Sequence, residues 1–239
     1  MTLEANIELV RDEYLRRVTC GCGDLLREVV AYATRRNGKM LRPRMLLAAA
    51  ATLGDEVLNS RRTLLLAVAV EMLHNASLLH DDVIDGDATR RGQPSVNARW
   101  GNATAVLVGD HLLAQIMTLL DEVDDRDATR RINQTVLAMT EAELLAQEVG
   151  SRKSEVGGNS DLLSQTSYLK IIDGKTARLF ATAASLGNPA YEDYGLHYGR
   201  LFQLRDDITD GEATPYTADL IRQEEAALAA IKPALLIQN

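Results

Sequence analysis

Aromatic residues make up only 4% of this 239-residue chain, and proline occurs five times. With few strand-favouring rings, a β-sandwich is a poor prospect; the apolar content falls to Leu, Ala, Ile, Val and Met, which suits helices. Cysteine is limited to Cys20 and Cys22, too few and too close for a disulfide framework. Reduced thiols and a cytoplasmic location are therefore expected. Positive charge is also short: the net charge is −8, which argues against a general nucleic-acid binder and its basic footprint. The N-terminus has no apolar run of signal-peptide type. The longest apolar stretch near the middle, Leu64 to Val70, stops at Glu71. A bilayer span needs about 20 such residues, so no transmembrane segment is expected.

Helical periodicity is present nearly throughout, broken by glycine, proline and asparagine. It predicts helices near 3–18, 23–36, 43–53, 61–80, 99–122, 127–150, 160–172, 175–187, 190–210 and 217–231. Gly38, the Gly86 to Pro94 stretch and Gly157-Gly158-Asn159 read as loops, and no segment demands a strand. Without repeats, low-complexity tracts or a dividing linker, one all-α domain over 1–239 is expected.

The helix near 61–80 runs into His80-Asp81-Asp82-Val-Ile-Asp85. At about 100° per residue, His74, Asp81 and Asp85 share a narrow stripe, flanked by Glu71 and Ser77, with Asp82 at its edge. On so apolar a helix that stripe is expected to lie against or inside the core. Buried acids are costly unless cations or hydrogen bonds compensate them, and at a helix C-terminus the dipole opposes them as well. The spacing recurs in Asp206-Asp207-Ile-Thr-Asp210. Upstream, Gly195 and Gly199 share a face with Asp206, as if something approached that backbone closely. Hard oxygen ligands in this number favour Mg²⁺, which bridges carboxylates to phosphates.

Cations stand beside the acids. Lys39, Arg42 and Arg44 surround a turn that opens a helix, Arg90 and Arg91 follow the first acid cluster, and Lys175-Thr176 sits at a further turn. Any one of them alone would read as a solvated surface group. Arginine forks and lysine point charges next to carboxylate clusters make a diphosphate cradle the better reading.

The string His74-x-x-Ser77-Leu-x-His80-Asp81-Asp82-x-x-Asp85 with Arg90-Arg91-Gly92-Gln93-Pro94 resembles the trans-isoprenyl diphosphate synthases, or polyprenyl synthetases. Gly109-Asp110, Gly174-Lys175-Thr176-Ala177 and Phe202-Gln203-x-x-Asp206-Asp207-x-x-Asp210 are similar to later motifs of that family, in the same order. The resemblance implies an orthogonal helical bundle around a central apolar cavity. It implies Mg²⁺ held by Asp81, Asp82, Asp85, Asp206, Asp207 and Asp210. Arg90, Lys175, Thr176 and Gln203 would serve the allylic diphosphate, and Lys39, Arg42, His74 and Arg91 the isopentenyl diphosphate. The implied reaction is head-to-tail condensation to a linear all-trans polyprenyl diphosphate, with ionisation of the allylic C–O bond assisted by Asp81, Asp82, Asp85, Lys175, Asp206 and Asp207. The small Ala76 and Ser77, one turn before the acids, resemble medium- and long-chain enzymes, with Met117 and Leu120 as candidates for a tunnel floor. A homodimer is implied as well.

After Asp210 the pattern departs: Asp219-Leu220 resembles a family pair, but the Gly-Lys segments and later helices of the family have no counterpart. A non-catalytic partner subunit of a heteromeric synthase therefore stays open. So does a class I terpene cyclase, although that needs a pocket rich in aromatics.

Overall fold

The computed structural model describes residues 2–34, 38–155 and 164–231, without the side chains of 152–155. The expected loop at Gly157-Gly158-Asn159, the start of the helix expected at 160 and residues 35–36 lie outside the described residues. The described residues divide into two compact units, one running up to Arg126 and the other starting at Asp127.

In the first unit α1 (Leu3–Thr19), α2 (Asp24–Thr34), α3 (Leu41–Ala51) and the short α4 (Asp55–Leu58) lead into α5 (Arg61–Ile84). Ser60 caps α5 by accepting from the Thr63 amide at 3.2 Å, which satisfies one of the orphan donors of the first turn. Leu65 to Val70 are all buried, so α5 is the axis of this core. α6 (Val96–Trp100) and α7 (Asn102–Val123) follow. The helix expected at 99–122 is thus split, because Gly101 takes a φ of 86° that ends α6 before α7 starts. Helix α3 begins two residues earlier than expected; Pro43 sits inside its first turn, where no amide donor is needed.

A two-residue hairpin, β1 (Thr89–Arg90) with β2 (Gln93–Pro94), interrupts the helices. Its turn residues Arg91 and Gly92 have φ of 53° and 74°, the pair of positive values a type I′ turn requires. By length and composition α5 and α7 could each cross a bilayer, contrary to the expectation drawn from Glu71; 72% of the apolar window of α5 and 39% of that of α7 are buried. For α5 the burial is that of a core helix.

The second unit comprises α8 (Arg126–Glu155), α9 (Gln165–Ile172), a π-helical turn (Asp173–Ala177), α10 (Arg178–Gly187), a 3₁₀ turn (Pro189–Tyr191), α11 (Glu192–Asp210) and α12 (Thr217–Ala230). The break expected between 172 and 175 is therefore a π turn inside a continuous helical run. The packing reason for Gly195 and Gly199 is plain. A Cβ on Gly195 would lie 2.5 Å from the Phe180 carbonyl oxygen, and one on Gly199 would lie 2.6 Å from Ala177 Cα. Helix α11 thereby comes to rest directly on the backbone of α10 and the π turn. Tyr168, Ile172, Leu204 and Leu220 close a buried cluster that joins α9, α11 and α12.

Candidate functional site

In the first unit, the phase of the acid-bearing helix differs from the expected one. Glu71, Asn75 and Asp82 are buried, whereas His74 and Asp81 are half-buried and Asp85 is exposed. An all-round apolar helix leaves its phase open to neighbours on every side, and they turned the Glu71–Asp82 stripe inward. Asp82 accepts from Arg90 Nε at 2.6 Å, and the same guanidinium reaches Asp87 at 3.0 Å. Burial nevertheless pushes the Asp82 carboxyl up against the pull of Arg90. Asn97 donates to the Asp82 and Asp87 carbonyls at 2.9 and 3.1 Å, and Ser95 Oγ to the Asp87 carbonyl at 2.6 Å. These bonds brace the loop that delivers the hairpin. The Asp82–Arg90 pair borders a cavity of about 60 Å³ that Tyr14, Asn75 and Arg91 also line.

The cations around α3 divide their work. Arg44 is committed to Glu4, at 2.5 and 2.8 Å, and its Nε donates to the Lys39 carbonyl at 2.9 Å. It fixes the turn and is no part of a cradle, which corrects the grouping of three. Lys39 is exposed. Arg42 donates to His74 Nε2 at 3.3 Å. Burial, then Arg42, Arg91 and Arg90, hold His74 well below its ordinary value, so the ring is neutral and accepts. Gly38 lies under the Arg91 guanidinium, where a Cβ would meet Nη2 at 3.1 Å. Lys39, Arg42, His74, Arg90 and Arg91 thus share this unit with Asp81, Asp82 and Asp85.

Gly109 and Asp110 have a structural explanation. His80 sits against Gly109, where a Cβ would come within 2.2 Å of its Nε2, and the ring lies 3.5 Å from Asp110. Ala76 is buried and Ser77 half-buried, its hydroxyl donating to the His74 carbonyl at 2.9 Å. Of the two floor candidates, Leu120 is buried but Met117 is 70% exposed and walls no interior of this unit.

In the second unit, Thr176 Oγ1 donates to Gln203 Oε1 at 2.7 Å, and Gln203 Nε2 donates to Asp207 Oδ1 at 2.7 Å. The Tyr168 hydroxyl donates to the other Asp207 oxygen. Asp207 is buried, while Asp206 and Asp210 are exposed. Lys175 pairs with Glu143 on α8 at 2.7 Å. Tyr168, Glu143 and Asn97 were not singled out from sequence, because their partners lie on other elements at no regular spacing; Asp87 pairs with Arg90 three residues on, but in a loop, where that spacing carries no helical signal.

Among the described residues no three His, Cys, Asp or Glu side chains are drawn together as a ready metal site. The donors themselves are carboxylates at helix ends, the hard oxygen set that suits Mg²⁺ when water and phosphate complete the shell. Their chemistry fits the ion.

The family model described as polyprenyl synthetase matches residues 23–223. The all-trans-nonaprenyl-diphosphate synthase (geranyl-diphosphate specific) of Rhodobacter capsulatus is 36% identical over 82% of this chain and 58% of its own. The geranylgeranyl diphosphate synthase of Methanosarcina mazei is 34% identical over 75% of this chain and 56% of its own. The chain thus spans less than three-fifths of the length of these curated relatives. Among solved structures, a polyprenyl synthase from Caulobacter crescentus CB15, complexed with calcium and isoprenyl diphosphate, superposes with a TM-score of 0.75 at 34% identity, over 85% of this chain and 62% of that one.

Proposed function

The chain belongs to the polyprenyl synthetase family, and from that premise we propose that it condenses isopentenyl diphosphate head-to-tail with an allylic diphosphate to give a linear all-trans polyprenyl diphosphate. The observation that carries this reading is the shared construction of the two acid clusters. In each Asp-Asp-x-x-Asp the middle carboxylate is buried and tied to protein donors, Arg90 for Asp82 and Tyr168 with Gln203 for Asp207, while the third aspartate is exposed. A surface cap would need no such anchoring.

Asp81, Asp82, Asp85, Asp206, Asp207 and Asp210 are the proposed Mg²⁺ residues, with the buried pair chiefly orienting their clusters. Mg²⁺, when bound, neutralises charge on the departing diphosphate. Arg90, Lys175, Thr176 and Gln203 bind the allylic diphosphate and direct its oxygens, so that the C–O bond ionises. Lys39, Arg42 and Arg91 bind isopentenyl diphosphate; neutral His74 adds no competing charge beside them. The isopentenyl double bond attacks the allylic carbon, a proton passes to the departed diphosphate, and the aliphatic helices keep out water that would quench the cation.

Calcium and isoprenyl diphosphate in the Caulobacter structure support a divalent ion and a diphosphate substrate here as well. Small Ala76 and Ser77 support a medium or long product. A homodimer is proposed as well; it would cover exposed apolar side chains such as Leu107 at 68% and Met117 at 70% on α7. The two free cysteines support a cytoplasmic location.

The test is incubation with Mg²⁺, labelled isopentenyl diphosphate and farnesyl diphosphate, with the products resolved by length. A ladder that ends at one dominant length and vanishes with EDTA is expected. No product from farnesyl, geranyl or dimethylallyl diphosphate would overturn the stand-alone enzyme and direct attention to a partner subunit.

A further inference from the structure

The family match runs to residue 223, and α12 carries a buried acid at the next position. The Glu224 side chain is 7% exposed, and a carboxylate so placed must be compensated. Its oxygens go to two residues of α11: Oε2 lies 2.5 Å from His197 Nδ1, and Oε1 accepts from Arg200 Nη1 at 3.4 Å. Arg200 turns its remaining donors on Asp173, with Nε and Nη2 at 2.5 and 2.8 Å. This is the bidentate fork geometry that fixes a guanidinium against a carboxylate.

Asp173 is the first residue of the π turn, and Lys175 and Thr176 follow within it. Two struts therefore run from α11 to this turn. Arg200–Asp173 holds its start, and Gln203–Thr176 holds its end. On the side of α8, Gly174 is pressed against Ala138 and Ala142, where a Cβ would meet the Ala138 carbonyl oxygen at 2.6 Å. The turn cannot retreat that way. Lys175 sits between the struts, which fix the backbone from which its side chain starts toward Glu143 on α8, 2.7 Å from its ammonium. The Gln203 strut lies within the recognised motifs; the Arg200 strut and its outer anchor Glu224 do not.

We propose that Glu224 is a positioning residue for diphosphate binding: through Arg200 and Asp173 it sets the π turn that presents Lys175. The inference rests on the proposed function and assigns to α12 a role at that site. Glu224→Gln keeps the shape and removes the charge. Arg200→Lys keeps the charge and removes the fork, and it tests the same route should the first variant fold poorly.

Inorganic pyrophosphate with Mg²⁺, titrated calorimetrically into the full chain, is the probe. Both variants are expected to weaken its binding about threefold to tenfold. They should raise KM for the allylic diphosphate by a similar factor and move kcat by less than about twofold. In a Lys175→Ala background neither variant should weaken binding further, because the route ends at Lys175. Unchanged pyrophosphate affinity with a lowered Tm would show a purely structural acid and overturn the inference. An equal loss in the Lys175→Ala background would overturn the route. A wild-type chain that binds no pyrophosphate and makes no prenyl product defeats the proposed function and this inference together. A wild-type chain that does both, with unaffected variants, defeats this inference alone.

Discussion

Two glycines inside helices should respond to the same substitution with opposite signs. In propensity alone, Gly→Ala within a helix gains about 0.8–1 kcal/mol. Gly150, exposed on α8, has nothing within 4 Å of an added Cβ. Gly150→Ala should therefore keep that gain, and at about 2–4 °C per kcal/mol for a chain of this size its Tm should rise by about 2–4 °C. At Gly195 the new methyl would stand 2.5 Å from the Phe180 carbonyl oxygen, 2.8 Å from Ala181 Cα and 2.9 Å from Ala184 Cβ. Ordinary carbon contacts lie at about 3.5–4.0 Å, so α11 would have to move off α10 by close to 1 Å. The two nearest obstacles are backbone atoms that no rotamer change can remove.

Overpacking of that kind costs about 1–3 kcal/mol, and with an immovable obstacle the upper end applies. After the propensity gain is subtracted, Gly195→Ala should lose about 2 kcal/mol and melt about 4–8 °C lower. The same displacement would stretch the 2.7 Å bond between Thr176 and Gln203, so pyrophosphate affinity should fall in step. Thermal unfolding of the two variants beside the parent, with calorimetric titration of pyrophosphate, checks both arms. A Gly195→Ala protein at least as stable as its parent refutes the close-approach argument, because propensity would then be the larger effect.

Glu71→Gln should show a pH-dependent gain in stability. Burial raises the Glu71 carboxyl above its ordinary value, ahead of the opposing pull of Arg42 and Arg91, so the folded state holds this proton more tightly than the unfolded chain. The cost of ionising Glu71 therefore grows as pH rises through the unfolded value and levels off above the folded one; the Tm advantage of the variant should grow from about pH 5 to pH 8, and a flat difference would contradict it. Arg90→Lys should raise KM for the allylic diphosphate by about tenfold, since one ammonium cannot repeat the fork that reaches both Asp82 and Asp87; an unaltered KM in steady-state kinetics would remove Arg90 from the site. Tyr168→Phe should destabilise by about 1–2 kcal/mol in urea unfolding, because buried Asp207 then keeps Gln203 but loses the hydroxyl; parental stability would show that this bond contributes nothing net.

The helices, the two acid clusters and the close approach at Gly195 and Gly199 could be read from the chain, because each leaves a local periodic trace. The phase of α5 could not. A helix apolar on all sides can bury any stripe, and α7 with its neighbours selected Glu71, Asn75 and Asp82 over His74, Asp81 and Asp85. The π turn was also hidden, since Asp173-Gly174-Lys175-Thr176 has the composition of a break, and only packing against α8 and α11 keeps it helical. Arg44 looked like a third phosphate ligand because its partner Glu4 is 40 residues away. Glu224 reaches back 24 and 27 residues to Arg200 and His197, and Tyr168 reaches forward 39 to Asp207; such pairings leave no spacing signal.

The middle aspartates suggest why the motif repeats as a pair of adjacent acids followed by a third. An exposed carboxylate at a helix C-terminus swings freely and is opposed by the dipole, which makes it a poorly oriented ligand. Placing its neighbour inward fixes the last turn of the helix, since Asp82 and Asp207 cannot turn outward without losing Arg90, or Tyr168 and Gln203. The inward acid then does two things at once. It anchors the turn on which Asp85 or Asp210 is displayed, and it holds in place a side chain proposed to bind diphosphate, Arg90 or Gln203. On the proposed reading, the hold of such a cluster on a divalent ion would depend on the buried aspartate and its partners as well as on the exposed carboxylates that face the solvent.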